Sequence, residues 1–398
     1  MPKNLALRDH VIAPDLSGVG ASARQVGFIA LAIMLVSVQF SIAVAQTFFA
    51  VAGVAAVVAL TVERKWPAAP PWAAHLVLFA GWTLIAAGMS RNPAVSLADC
   101  KQLVLFLLVP ITFEFARRNR SAMLTDLVLT AGAVSAVVGI SQYSLFHFDN
   151  LGQRPRSTLG MYMTFAGLMM LCANVAAARL LFGNRQRLWP ALTIWPVLVA
   201  LLLSFTRSAW IGAASGIGIQ LFRRDLRLVA ILPLAVAVVF GFAPVELTRR
   251  ASSIFDSNDA TGRDRVAMLS AGLEIIRDYP FFGVGPDMVE RVYPQYRYAT
   301  AVLPTTPHLH NVPLQIAAER GLPALALWVW FVVSVLRELF RQFQRSRHKV
   351  LAAAAIGSIV AMLTAGMFEY NFGDSEFLML FLVLITLPFA ADRDGGLP

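Results

Sequence analysis

The chain is expected to be an all-α polytopic membrane protein with about twelve transmembrane helices and one large extramembrane loop containing short helices. Three observations lead to this class. Of its 398 residues, 58% are hydrophobic and 14% charged, with a mean hydropathy of +0.66, whereas a soluble domain carries roughly 25% charged residues. Apolar runs of roughly 18–25 residues, long enough for a hydrocarbon core about 30 Å thick, recur from residue 26 onward. Only residues 244–321 break the pattern at length. Lipid offers no hydrogen bonds to exposed backbone, so the apolar runs fold as helices rather than open strands.

Residues 26–62 hold two helices, with a reversal marked by Gln39, Ser41 and Gln46, and Glu63-Arg64-Lys65-Trp66-Pro67 closes the pair. A third span covers 72–89 and ends at the turn Ser90-Arg91-Asn92-Pro93. The fourth, 103–115, stops at Arg117-Arg118-Asn119-Arg120, and the fifth is 123–146. After a polar loop at 147–157 comes a sixth span at 159–182, ended by Gly183-Asn184-Arg185-Gln186-Arg187. Spans at 189–203 and 209–222 meet at Ser204-Phe205-Thr206-Arg207-Ser208, and Arg223-Arg224-Asp225-Leu226-Arg227 leads to a ninth at 228–243. Spans at 322–340, 351–367 and 377–391 follow the loop. The organisation is therefore 1–243 with nine spans, the loop 244–321, and 322–398 with three more.

Charge decides orientation. A formal charge of +10 would suggest nucleic acid in a soluble protein, but in a membrane protein basic residues report topology first. With a cytoplasmic N-terminus, 20 of the 33 Lys and Arg fall on the inner side, from Lys3, Arg8 and Arg24 through the clusters that end each even-numbered helix to Arg393. Both termini are then cytoplasmic, the loop faces outward, and no nucleic-acid partner is expected. Cys100 and Cys172 lie in or beside apolar runs, so neither a disulfide framework nor a cysteine metal site is expected. The polar, basic residues 1–24 lead into paired apolar runs, a signal-anchor pattern rather than a cleaved leader.

Eight arginines break the positive-inside trend by falling in the loop: Arg249, Arg250, Arg263, Arg265, Arg277, Arg291, Arg297 and Arg320. Each reads equally as solvated loop surface or as part of an anion site, since guanidinium forks match phosphate oxygens. Arg263 and Arg265 stand at the start of a segment in which Val266, Leu269, Leu273 and Ile276 recur at helical spacing, predicting an amphipathic helix along the membrane surface that stops at Tyr279-Pro280. Arg207 sits in a very short turn near the outer surface, a costly place for charge and so a functional candidate, with snorkelling beside Trp210 as its plain alternative. His308 and His310 stand two apart in Pro307-His308-Leu309-His310-Asn311. Zinc needs three or four ligands and no H-E-x-x-H or matching Cys/His set is present, so no metal is expected. A general base and a histidine bonded at a helix start remain equally open. Acidic candidates on the same side are Asp256, Asp259, Asp264, Asp287, Glu290, Glu319, Glu369, Asp374 and Glu376, and none forms an Asp-x-Asp pair; Glu369-Tyr370-Asn371-Phe372-Gly373-Asp374 reads equally as a polar outer turn lining the same cavity and as a plain loop. Tyr293, Tyr296 and Tyr298 could stack on sugar rings or anchor the loop at the interface.

Taken together, His310-Asn311 with Gly321 following in His-Asn-Val-Pro-Leu-Gln-Ile-Ala-Ala-Glu-Arg-Gly, Arg207 in Thr-Arg-Ser-Ala-Trp, Thr261-Gly262-Arg263 and Tyr279-Pro280-Phe281-Phe282-Gly283-Val284-Gly285-Pro286 resemble the signature of the O-antigen ligase and polymerase family. The resemblance covers about residues 204–325; the N-terminal half shares only hydropathy. It implies a C-type glycosyltransferase-like membrane fold in the bacterial inner membrane. It also implies transfer of a glycan from undecaprenyl diphosphate to an acceptor on the periplasmic side, lipid A–core oligosaccharide for a ligase, with no nucleotide-sugar, cofactor or metal. By its His-Asn spacing, His310 is the base and His308 a helper or bystander. Arg207 with Arg263 or Arg265 would hold the diphosphate, and Asn311, Glu319, Tyr293 and Tyr296 would contact substrate or orient neighbours. For Glu319, an ion pair with Arg320 is an equal alternative. A polymerase is the nearest rival and a protein oligosaccharyltransferase is third. A lipid-linked glycan transporter would need polar or broken helices near the midplane.

Overall fold

The computed structural model describes residues 17–183, 187–230, 245–252, 260–299 and 301–393, with positions 233, 237 and 241. Most of the expected ninth span, together with Lys3, Arg8, Arg185, Asp256 and Asp259, lies outside them. Among the described residues the structure is helical and has no strand. Helices α1 (Ser17–Ser37) and α2 (Ile42–Val62) form a hairpin, followed by α3 (Ala73–Gly88) and α4 (Pro93–Asp99). A 3-10 stretch at Cys100–Leu107 joins α4 to α5 (Leu108–Phe115), and α6 (Asn119–Phe146), α7 (Tyr162–Phe182), α8 (Leu188–Leu203) and α9 (Arg207–Arg224) follow. The polar interruption holds α10 (Val245–Ser252), α11 (Ala260–Asp278) and α12 (Val289–Tyr296), and the chain ends with α13 (Val312–Arg345), α14 (Lys349–Ala365) and α15 (Ser375–Asp392).

Seven of the described helical segments are long and apolar enough to cross a membrane, making this a multi-pass helical membrane protein. α3, α8 and α14 are apolar but shorter. Two boundaries differ from the sequence reading. α2 already begins at Ile42, so Gln46 is helical and the reversal is confined to 38–41. There Gln39 is buried, its amide donating to Cys172 Sγ at 3.3 Å. The fourth span begins at Pro93 rather than near 103, because Asn92 caps it by accepting from the Val95 N–H and Pro93 fits the first helical turn.

α7 and α15 form the centre of the bundle. Every residue from Thr164 to Ala178 and from Phe377 to Ala391 is buried, as expected of helices apolar on all sides. α9 is less apolar and reaches this core through small residues. A side-chain carbon at Gly216 would lie 2.5 Å from the Gly357 carbonyl of α14, so the two backbones touch there.

One end of the bundle is tied by charge. Glu114, at the end of α5, is buried and accepts from Arg24 of α1, from Arg117 at 2.8 Å and from Arg393 after α15 at 2.6 Å. Three clusters that the charge pattern assigns to one side therefore meet at one carboxylate. Glu114→Gln is expected to destabilise the protein by roughly 2–3 kcal/mol, less than a fully buried pair because the arginines keep some solvent contact. Denaturant unfolding in detergent measures it.

Candidate active site

The opposite end of the bundle holds the candidate site, and its framework begins at α13. Asn311 caps this helix, Oδ1 accepting from the Leu314 N–H at 2.9 Å, with a proline in the first turn. The same side chain donates through Nδ2 to the Met367 carbonyl at 3.1 Å, and the Val312 N–H donates to the Gly366 carbonyl at 2.7 Å. The start of α13 is thus fastened to the turn between α14 and α15. The preceding residue, His310, has φ +49°, a left-handed conformation that costs a non-glycine residue roughly 1–3 kcal/mol and recurs at functional sites.

α13 is two helices in one. Gly321 breaks it with φ +80° and ψ 171°, leaving a short buried segment before the apolar one. The Phe281–Gly285 turn closes around the break: Leu322 N–H donates to the Pro280 carbonyl at 2.8 Å, Val284 N–H to Ala318 at 2.9 Å and Gly285 N–H to Glu319 at 2.9 Å. A Cβ at Gly321 would stand 1.9 Å from the Phe281 carbonyl oxygen. Gly321→Ala therefore combines left-handed strain with displaced backbone and is expected to lower stability by about 2–3 kcal/mol. Gly81→Ala, where an added Cβ meets nothing within 4 Å, should stay within about 0.5 kcal/mol of wild type in the same unfolding measurement.

α11 carries the expected apolar face on its open side. It spans Ala260–Asp278, ending where expected, but Met268, Ala271 and Ile275 form its buried face, packed with Tyr293, Leu309, Leu314 and Ala318. Val266, Leu269 and Leu273 are 65%, 46% and 56% exposed. The helix has two apolar faces, and the sequence period picked out the open one. Asp264 accepts from the Val302 and Leu303 N–H groups at 2.6 and 3.1 Å, holding the loop beside it.

Between α9, α11, the start of α13 and the α14–α15 turn lies a cavity of about 330 Å³. Arg207, Arg265, His310 and Asn311 are among its polar lining, and Leu269 and Phe368 contribute to its apolar wall. Arg207 is the first residue of α9 and is 6% exposed. It is presented by a tight turn in which Phe205 has φ +53° and the Thr206 N–H donates to Ser204 Oγ at 3.3 Å. Arg265 stands over the Phe368 ring at 5.9 Å. Arg263, two positions away and hence on the opposite side of a helix, is exposed.

Glu369, in the α14–α15 turn, completes the site. Both carboxylate oxygens lie 3.2 Å from His310 Nδ1. Burial pushes this carboxyl upward, but the His310 hydrogen bond and the charges of His310 and His308 outweigh it, so its pKa lies below the ordinary value. An ionised carboxylate only accepts, so His310 Nδ1 carries a proton, and whenever the ring is neutral its lone pair stands on Nε2. His308 packs edge-on to His310 with ring centroids 4.2 Å apart and lies 5.9 Å from the Tyr370 ring. Burial, and then the charge of His310, lower its pKa to about 4. The unfolded chain accepts this proton first on acidification. Stability held above pH about 6.5 is therefore expected to fall as pH drops toward about 4. The melting temperature of His308→Asn should fall less over the same range.

Other sequence candidates lie elsewhere. Glu319 is buried, accepting from the Asp287 N–H at 2.9 Å and from Arg320 at 2.7 Å, so it braces the glycine turn and forms the alternative ion pair. Tyr293 is fully buried in the loop core, and the Tyr296 hydroxyl donates to Asp278 at 2.7 Å. Neither lines the cavity. The sequence places Glu369 in a polar outer turn that could line the same cavity, but nothing local ties it to a histidine 59 positions earlier. It also supplies the third donor that the metal reading lacked, since His308, His310 and Glu369 offer ligand atoms within 4.8 Å of one another.

No curated protein matches the chain. Residues 192–329, which carry Arg207, Arg265, His310 and Gly321, match the family model described as O-antigen ligase.

Proposed function

We propose that the protein is a glycosyltransferase that joins O-polysaccharide from undecaprenyl diphosphate to lipid A–core oligosaccharide at the periplasmic face of the bacterial inner membrane. On this reading it has about twelve spans, cytoplasmic termini and an outward loop at 244–321. The observation that carries it is the convergence on one cavity of His310, backed by Glu369, with Arg207 and Arg265. His310 Nε2 takes the proton of the acceptor hydroxyl while Glu369 balances the imidazolium. The acceptor oxygen bonds to the anomeric carbon, the bond from that carbon to the diphosphate breaks, and its electron pair leaves with the diphosphate. Arg207 and Arg265 meet the added charge. Asn311 holds the His310 turn, and the apolar wall suits the lipid end of the donor.

The test is reconstitution. Purified protein given undecaprenyl-diphosphate-linked glycan and rough lipopolysaccharide, with chelator and without ATP, is expected to yield joined product. Lengthened glycan still on the polyprenyl carrier would instead identify a polymerase. Donor that crosses a bilayer with no bond formed would identify a transporter.

A further inference from the structure

Two imidazoles and a carboxylate are a donor set that zinc-type cations accept, with a fourth position left for water. Tetrahedral zinc with bonds of about 2.0–2.1 Å sets neighbouring ligand atoms roughly 3.3–3.4 Å apart, and the Glu369 oxygens already stand 3.2 Å from His310 Nδ1. His308 brings its ligand atom within 4.8 Å of both, so a side-chain adjustment of roughly 1 Å would complete the triangle. A second observation points the same way. His308 Nδ1 is buried with no hydrogen-bond partner among the described residues, whereas a buried ring nitrogen normally has one.

We propose that His308, His310 and Glu369 form a binding site for a divalent transition-metal cation of the zinc type, and that occupying it inhibits the enzyme. The inhibition follows from the proton count on one ring. A neutral imidazole carries one proton, which Glu369 holds on His310 Nδ1. A cation bound to Nδ1 displaces that proton, and the neutral ring then carries its proton on Nε2. The exchange leaves the net proton count of the ring unchanged but removes the lone pair that faces the cavity. Binding stands on the donor geometry alone, whereas inhibition rests on the proposed role of His310 as base.

Metal-stripped protein in detergent, titrated with zinc chloride and followed by calorimetry, is expected to bind one ion per chain. Cobalt(II) in its place is expected to give the intense visible absorption of a tetrahedral site. His308→Asn and Glu369→Gln should each weaken zinc binding by about 10- to 100-fold or more, the lower bound being what losing only an outer partner of a ligand costs. The two variants provide separate tests, with melting curves selecting folded protein. Wild-type turnover should fall with zinc and return with chelator, while the residual turnover of His308→Asn resists zinc. Absence of saturable binding, or wild-type affinity in both variants, overturns the site. Zinc bound with turnover unchanged or raised overturns the inhibition. Turnover with no zinc binding leaves the proposed function standing, whereas zinc binding in a protein that joins no glycan removes that function and leaves the site.

Discussion

His310→Ala is expected to lower glycan transfer by about 10²–10⁴-fold, the usual contribution of a positioned general base. Its KM for the lipid-linked donor should change little, because the arginines that face the diphosphate remain. The measurement is single-turnover transfer by purified protein, paired with donor binding. A variant that binds donor and still turns over at the wild-type rate would remove His310 as the base. Glu369→Gln separates positioning from chemistry. Glutamine can accept from Nδ1 but can also donate to it, so control of the ring proton is lost while shape is kept. A fall in kcat with KM held is expected; equal falls in kcat and in folded yield would indicate a structural role alone.

The second large effect concerns the arginines. Arg265→Ala and Arg207→Ala are each expected to cost about 10²–10³-fold in turnover, the loss of one preorganised donor at a developing charge. Lysine at either position should recover only part of it, because an ammonium cannot present the planar fork that matches diphosphate oxygens. Arg263→Ala should stay within about twofold of wild type, since its charge is exposed and screened. Equal losses at positions 263 and 265 would contradict the assignment of the diphosphate to the cavity that Arg265 lines.

The pair 263 and 265 also shows where reading the sequence stopped. Both arginines precede the same helix, and a motif asking for one could not choose between them. The choice was made by which face of α11 packs onto Leu309 and Leu314. The chain offered two apolar faces on that helix: the periodic one stands open, and Met268, Ala271 and Ile275 form the buried one. Tyr293 was misjudged for a related reason: an aromatic among polar residues looks available until the elements around it close over it.

What the sequence by itself determined is what local physics encodes. Apolar length forces helices in lipid, and basic clusters mark their ends. Tertiary structure alone decided that Glu369 stands behind His310, that Glu319 does not line the cavity, and that Arg207 shares a cavity with Arg265. These contacts join turns tens of residues apart, and no helical period or short motif relates such positions. Their distances are set by how α9, α11, α13 and α14 pack against one another.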